Sequence, residues 1–284
     1  MTPHDPGPDP GPVPYTREDV AAAAGVLRGT AEGAPELLLV LTDEQIAGLD
    51  GEDRPQFAAE PWLAQRPEQR EAAAEVALRA LLAAERIHEV LDPATGQRRW
   101  QAEPTITGCL LLRRTAPTFT TAERTVQTPQ GPEVQRLHHY VHPDGVLEEE
   151  VTPSGLHRFT PLRAEQAAAR LAVVVDRDGV AGAAGPSSDG TSQGRTAESA
   201  VVRGSELAAG HPIAARLAAA RALVVLTAVR ADDGAVRQVS VAAAEDEVLL
   251  MEAEGPAAED PPLRVRTLDA GQVRDLAVEL LSRR

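Results

Sequence analysis

The stretch LHHYVHPDGVLEEEV, residues 137–151, gathers three histidines, a tyrosine and four acidic residues into fifteen positions. Imidazoles and carboxylates are the usual metal ligands and proton carriers, so this set could bind a divalent ion or act as acid and base. Its spacing argues against both. Pro143, Asp144 and Gly145 are turn residues, and the flanks read as two strands of a hairpin. Alternate side chains of a strand share a face, which groups His138, Tyr140 and His142 and sets Leu137, His139 and Val141 opposite. At ~3.3 Å per residue, His138 and His142 have Cα atoms roughly 13 Å apart. Two ligands of one zinc must each come within ~2.1 Å of it. Glu148, Glu149 and Glu150 read as a solvated face or a charged edge. The expectation is a structural hairpin without metal or cofactor, whose His138, Tyr140 and His142 can meet a partner.

Other reactive residue types are equally bland. Cys109 lies in the apolar run ITGCLLL with no cation nearby in sequence, and reads as a small buried hydrophobe. Ser154 sits in the turn TPSG, which lacks a two-glycine nucleophile elbow. His157 reads as a strand residue. The glycines at 179–194 have neither a preceding strand nor a Gly-Lys signature, and no His-Glu-x-x-His run occurs. No catalytic residue is assigned, and an enzyme is the least supported of three readings.

The 284 residues are 43% apolar, enough for a sizeable core, but only seven are aromatic, so that core must be aliphatic. All 28 basic residues are arginine, and the Ala, Gly and Pro content is that of a high-GC coding sequence. A net charge of −15 opposes binding to nucleic acid or an anionic membrane, since both are polyanions. The single cysteine excludes an intrachain disulfide. No apolar run nears the ~20 residues of a membrane helix, and the first residues lack a signal-peptide pattern. A cytoplasmic protein is expected.

Residues 1–16, rich in Pro and Gly, read as a disordered tail. After the apolar LLLVL, Thr42 can cap a short helix carrying Ile46 and Leu49. A helix is expected over 67–87, with Ala73, Val76, Ala77, Ala80, Leu81 and Ala84 as a narrow stripe for close approach. A hairpin over 87–103 turns at 92–96, and 106–114 reads as an apolar strand. Strands follow near 119–128, 134–141, 146–151 and 156–159, then a helix over 164–175. The Gly/Ser-rich 176–200 reads as a linker. Beyond it come one helix from ELAAGHPIAARLAAAR, the strands ALVVLTAVR, VRQVSVAAA, EVLLMEAEG and LRVRTL, and a closing helix.

Four strands and a helix thus occur on each side of the linker. At an offset of 106, Leu162 meets Leu268, Ala164 meets Ala270 and Gln166 meets Gln272. The expected fold is α+β, with two related antiparallel sheet-plus-helix halves, at 17–175 and 201–284. The helix at 67–87 and the hairpin after it also look like a winged helix, which makes a regulator the runner-up. Residues 36–107 hold seven arginines against fourteen acidic residues, and the four candidates for a basic face, Arg66, Arg70, Arg98 and Arg99, are too few to read DNA.

The segments LTDEQIAGLDG, ALRALLAAERI, RLHHYVHPDGVLEEEVTPSGLHRFTPL and LRVRTLDAGQVRDLAVELL, in this order, resemble the EspG family, the cytosolic chaperones of ESX (type VII) secretion. The resemblance spans residues 36–282 and is one of pattern, so no functional residue is carried over. It implies a pseudo-twofold fold with antiparallel sheet flanked by helical bundles, and a chaperone or adaptor that holds a small helical secreted protein until export. The Gly/Ser-rich middle and the Pro-rich tail depart from the family pattern. Alternation in VLLMEAE and RLHHYVH leaves one sheet face for such a partner, and adds Leu249 and Met251 to the expected contact residues.

Overall fold

The computed structural model describes residues 15–29, 33–51, 59–91, 96, 98–183, 199–255 and 260–282. The tail at 1–14, the turn at 92–95 and the stretch 184–198 lie outside the described residues. The chain opens with α1 (Arg17–Arg28), β1 (Leu39–Thr42), α2 (Asp43–Asp50) and α3 (Arg70–Ala83). A two-stranded hairpin, β2 (Ile87–Leu91) and β3 (Arg98–Ala102), leads to α4 (Pro104–Thr115). Then come β4 (Thr118–Thr128), β5 (Gly131–His142), β6 (Gly145–Val151), β7 (Leu156–Leu162), α5 (Ala164–Val175) and α6 (Val180–Ala183). The rest is β8 (Ser199–Arg203), α7 (Gly204–Ala208), α8 (Pro212–Ala218), β9 (Ala222–Arg230), β10 (Val236–Ala243), β11 (Val248–Ala253), β12 (Pro262–Leu268) and α9 (Ala270–Leu281).

Ten strands form one antiparallel sheet in the order β1-β7-β6-β5-β4-β9-β10-β11-β12-β8. Reading outward from the β4–β9 pair, each side repeats the other. The register repeats too. Ala122 pairs with Leu226 at the centre. Tyr140 opposite Leu147 on β5–β6 is answered by Ala242 opposite Leu249 on β10–β11. Glu149 opposite Phe159 is answered by Met251 opposite Val265. Helices α5 and α9 start and end 106 residues apart, and their N-cap backbones use the same device: Arg163 N–H donates to Gln166 Oε1 and Asp269 N–H to Gln272 Oε1, both at 3.0 Å. The expected α+β architecture with two related halves is the one observed, as one continuous sheet.

One face of this sheet packs across both halves onto α5 and α9, through Leu137, Val146, Leu226, Val239, Val248 and Leu276 among others. The opposite face, called the cap face below, differs between the halves. In the first, α1, α2, α4 and the base of the β2–β3 hairpin bury Leu41, Ile46, Ile106, Tyr140, Leu147 and Phe159. In the second, only the short α7 and α8 lie between β8 and β9, over a small core of Val202, Ile213, Ala242, Leu249 and Val265.

Several expectations are corrected. The run 106–114 is not a strand but the body of α4, buried at almost every position. A continuous apolar run reads alike for a buried strand and a helix enclosed all round. Helix α3 turns Leu78 and Leu81 inward against α2, while Val76 is 66% exposed. The expected stripe is therefore split between the two faces. The stretch 176–183 is not linker: it carries α6, whose Val180 and Ala181 enter the core. Gly210, His211 and Pro212 break the single helix expected from ELAAGHPIAARLAAAR into α7 and α8. Helix α1, capped reciprocally by Thr16 and Asp19, has no counterpart among the expected elements. The hairpin of the winged-helix reading is present, but Arg70 pairs with Glu60 and Arg66 lies over the Trp62 ring.

Candidate functional site

The hairpin at 137–151 does form, as β5 and β6, yet its polar residues are not on the surface. Under the cap of the first half, Glu149 of β6 accepts from three directions. Arg113 Nε of α4 donates to Oε2 at 3.1 Å, and Tyr140 OH of β5 to the same oxygen at 2.5 Å. His157 Nδ1 of β7 meets Oε1 at 2.5 Å, and its Nε2 meets Asp43 Oδ1 at 2.7 Å. Asp43 opens α2, and its other oxygen accepts the backbone N–H groups of Trp62 and Leu63, at 2.7 and 3.0 Å. Asp50 closes α2 and is held by Arg113 NH1 at 3.1 Å and by Arg114.

Three carboxylates (Asp43, Asp50, Glu149) thus face three cations (Arg113, Arg114, His157). Burial opposes ionisation of Glu149, but the Arg113 charge and the His157 hydrogen bond override it and hold the carboxyl far below its usual range. Burial would also lower the His157 pKa, yet its bonds to Asp43 and Glu149 raise it to about 9. The imidazolium therefore donates both N–H groups. Burial, then the Glu149 charge, pushes Tyr140 well above its ordinary value. Each charge is matched inside the cluster, which ties both ends of α2 and the C-terminal turn of α4 to three strands. It is a structural clamp, with no unspent acid, base or nucleophile. Cys109, beside it, is pushed by burial to about 12.

The two faces of β5 and β6 each hold such a group. On the α5 side, Glu148 accepts from Arg170 Nε at 2.7 and 2.8 Å and lies 3.1 Å from His139 Nε2. Burial raises the Glu148 pKa, but His139 and Arg170 bring it below normal. Glu148 and Glu149 are therefore buried partners, in place of the solvated face expected of them; Glu150 alone is exposed. Among the described residues, no group of three or more His, Cys, Asp or Glu is placed to hold a metal ion.

Of the residues expected to meet a partner, His138, Tyr140 and Leu249 are buried, and His142 and Met251 are half-buried. Buried side chains support a surface but do not form it. His138 stacks on Phe119, with ring centroids 5.5 Å apart, neither nitrogen has a hydrogen-bond partner, and burial lowers its pKa to about 4. His142 Nε2 bonds the Leu112 carbonyl of α4 at 2.9 Å.

The strand register gives each member of the clamp a counterpart in the second half. Opposite His138, Glu149 and His157 stand Ser240, Met251 and Leu263. The first three are buried, and the second three only half-buried. Together with Val225 and the 42%-exposed Leu223 of β9, they form an uncharged, mostly apolar patch on the cap face. No sequence signal marked this patch beyond the alternation in VLLMEAE that singled out Met251.

No protein-family model matches the sequence, and no curated protein is similar to it. Solved structures are similar in outline. One is the Mycobacterium tuberculosis type VII secretion system chaperone EspG5 in complex with the PE25–PPE41 dimer, covering 86% of this chain and 95% of that one at 10% identity and a TM-score of 0.48. A likeness of this size carries no argument about what this chain binds.

Proposed function

We propose that the protein is a non-enzymatic cytoplasmic binding protein that holds a helical secreted partner, as a chaperone or adaptor of type VII secretion. One observation carries the binding role. Positions that helices of the chain cover in the first half (His138, Glu149, His157) are left half-open in the second, where they are Ser240, Met251 and Leu263. The first half uses α1, α2 and α4 to close this face, so helices of a partner are the natural cover for the second. The patch is uncharged within a strongly acidic protein, which keeps a holding protein soluble while its contact area stays apolar. The saturated clamp and the inert Cys109 support a role without catalysis. No helix among the described residues is long and apolar enough to cross a membrane, in keeping with a partner met in solution. The type VII assignment rests on the sequence resemblance.

The test is site-specific photo-crosslinking in the cells of origin. A crosslinker at Leu223 or Met251 captures one helical secreted protein, and the same group at the exposed Val173 of α5 does not. Equal capture at all three sites, or none, overturns the assignment.

A further inference from the structure

Apart from the patch and the clamp, a buried charge on β4 stands out among the described residues. Arg124, on the α5 face of β4, is only 6% exposed. Among the described residues, its fully enclosed Nε has no hydrogen-bond partner, and no carboxylate lies within ion-pair distance of its guanidinium. An arginine stays protonated at any accessible pH, so it cannot escape burial by neutralising as a lysine or histidine does. A buried cation without a counter-charge is costly, and native structures seldom leave one.

The surroundings add to the excess. Gln135 lies directly across the β4–β5 ladder from Arg124, but its Oε1 accepts from Arg177 NH1 at 3.3 Å. Arg177, just beyond α5, is thereby held close to Arg124, and after burial its charge is the largest influence lowering the Arg124 pKa. Asp178 acts in the opposite direction from a distance, without an ion pair or hydrogen bond to Arg124. The nearby Asp176 is occupied in capping, its two oxygens accepting the N–H groups of Val180 and Ala181 at 2.8 and 2.9 Å. Among the described residues, neither guanidinium group is therefore bonded to a carboxylate. On the other side of the pseudo-twofold, the counterpart of Arg124 is Ala228, so the charge is an addition of the first half.

We infer that Arg124 and Arg177 form a binding site for a small oxyanion, with inorganic phosphate as its simplest occupant. Guanidinium forks match phosphate and carboxylate oxygens in geometry and charge. The anion meets the terminal nitrogens of Arg124, which are not enclosed as its Nε is, and it pins the 176–183 segment against β4 and β5.

The test is a titration of the full chain with sodium phosphate, at constant ionic strength maintained with chloride, followed by amide chemical shifts and by the thermal midpoint. The expected result is saturable shifts centred on residues 124, 135 and 177, and a rise in midpoint. Arg124→Met weakens phosphate binding by about ten- to hundred-fold, the loss of a hydrogen bond to a charged group. If that variant does not fold, the exposed Arg177→Gln keeps the test: it weakens binding several-fold with the fold intact, and Asp178→Asn strengthens it. The inference falls if phosphate acts no differently from chloride, if its effect does not saturate, or if Arg177→Gln binds phosphate as the unaltered protein does. A carboxylate occupant is recognised by acetate competing with phosphate for the same shifts.

Discussion

The two halves hang the same strands on the same register, yet solve the cap face in opposite ways. In the first, an ionic clamp of Asp43, Asp50, Arg113, Glu149 and His157 lies beneath α1, α2 and α4. In the second, the corresponding strand positions are the half-open Ser240, Met251 and Leu263, and the cap is reduced to two short helices. The α5 face shows the same contrast: His139, Glu148 and Arg170 are answered by Val241, Leu250 and Leu276. A backbone plan therefore does not dictate polarity. Charge is tolerated where enough elements converge to supply every partner, and a thinly covered face must stay apolar or neutral.

The largest effect expected is at Glu149. Glu149→Met writes the second half's Met251 into the first, and leaves Arg113 and His157 without their shared carboxylate. Removing one partner of a buried ion cluster costs about 3–5 kcal/mol, a fall in thermal midpoint of roughly 10 °C. Met251→Ala, at the equivalent but half-open position, is expected to cost about 2 kcal/mol or less, because little cavity forms beside solvent. Denaturant unfolding of both variants measures the contrast. Equal losses would mean that the clamp contributes no more than ordinary packing.

Protonation separates the halves next, since among the described residues only the first buries titrating groups in its strands. His157 has a folded pKa raised from 6.5 to about 9, so its contribution is complete below pH 6.5 and is lost as pH rises through 9. Glu149 is held below 4.5, so its contribution is present above that value and is lost as pH falls. His138 is lowered from 6.5 to about 4; the unfolded chain takes that proton first, and stability declines as pH falls from 6.5 towards 4. Amide exchange of β5–β7 is therefore expected to quicken at pH 5 and again above pH 9, relative to β10–β12. His138→Phe keeps the ring stack on Phe119 and removes the part of the acid loss due to this group. If β10–β12 respond as strongly, the pH dependence is not that of the clamp.

What the sequence made legible follows the same divide. Alternation and turn residues marked the hairpin at 137–151, and α5 was read at its observed ends because polar residues flank a clean helical period. The offset of 106 between the closing helices was visible as three identities. The sequence of α4 reads as a strand because the helix is enclosed on nearly every side, which removes the period that would identify it. The clamp was invisible for another reason: Asp43 and His157 are 114 residues apart, and each alone looks like a surface charge or a strand residue. Only the sheet order brings them together. The half-open patch is a difference in cover between two similar sheets, which no local pattern records.

The smallest net effect is expected from the most drastic replacement. His139→Val, Glu148→Leu and Arg170→Leu together write the second half's triad, Val241, Leu250 and Leu276, onto the α5 face of the first. Glu148→Leu alone strands His139 and the Arg170 charge and is expected to destabilise by about 2 kcal/mol, less than a fully enclosed pair because Arg170 still reaches water. The triple variant leaves no unpaired charge. Exchanging a buried ionic triad for well-packed apolar residues is often neutral, or stabilising by about 1–4 kcal/mol. Three residues that already share one core, two from the sheet and one from α9, are a favourable source for that exchange. The expectation is thus non-additive: the triple variant unfolds at or above the midpoint of the unaltered protein, and the single variant below it. A triple variant less stable than the single one would show that the two halves differ in backbone spacing at this face as well as in polarity, and that the repeat is one of topology without equivalent packing.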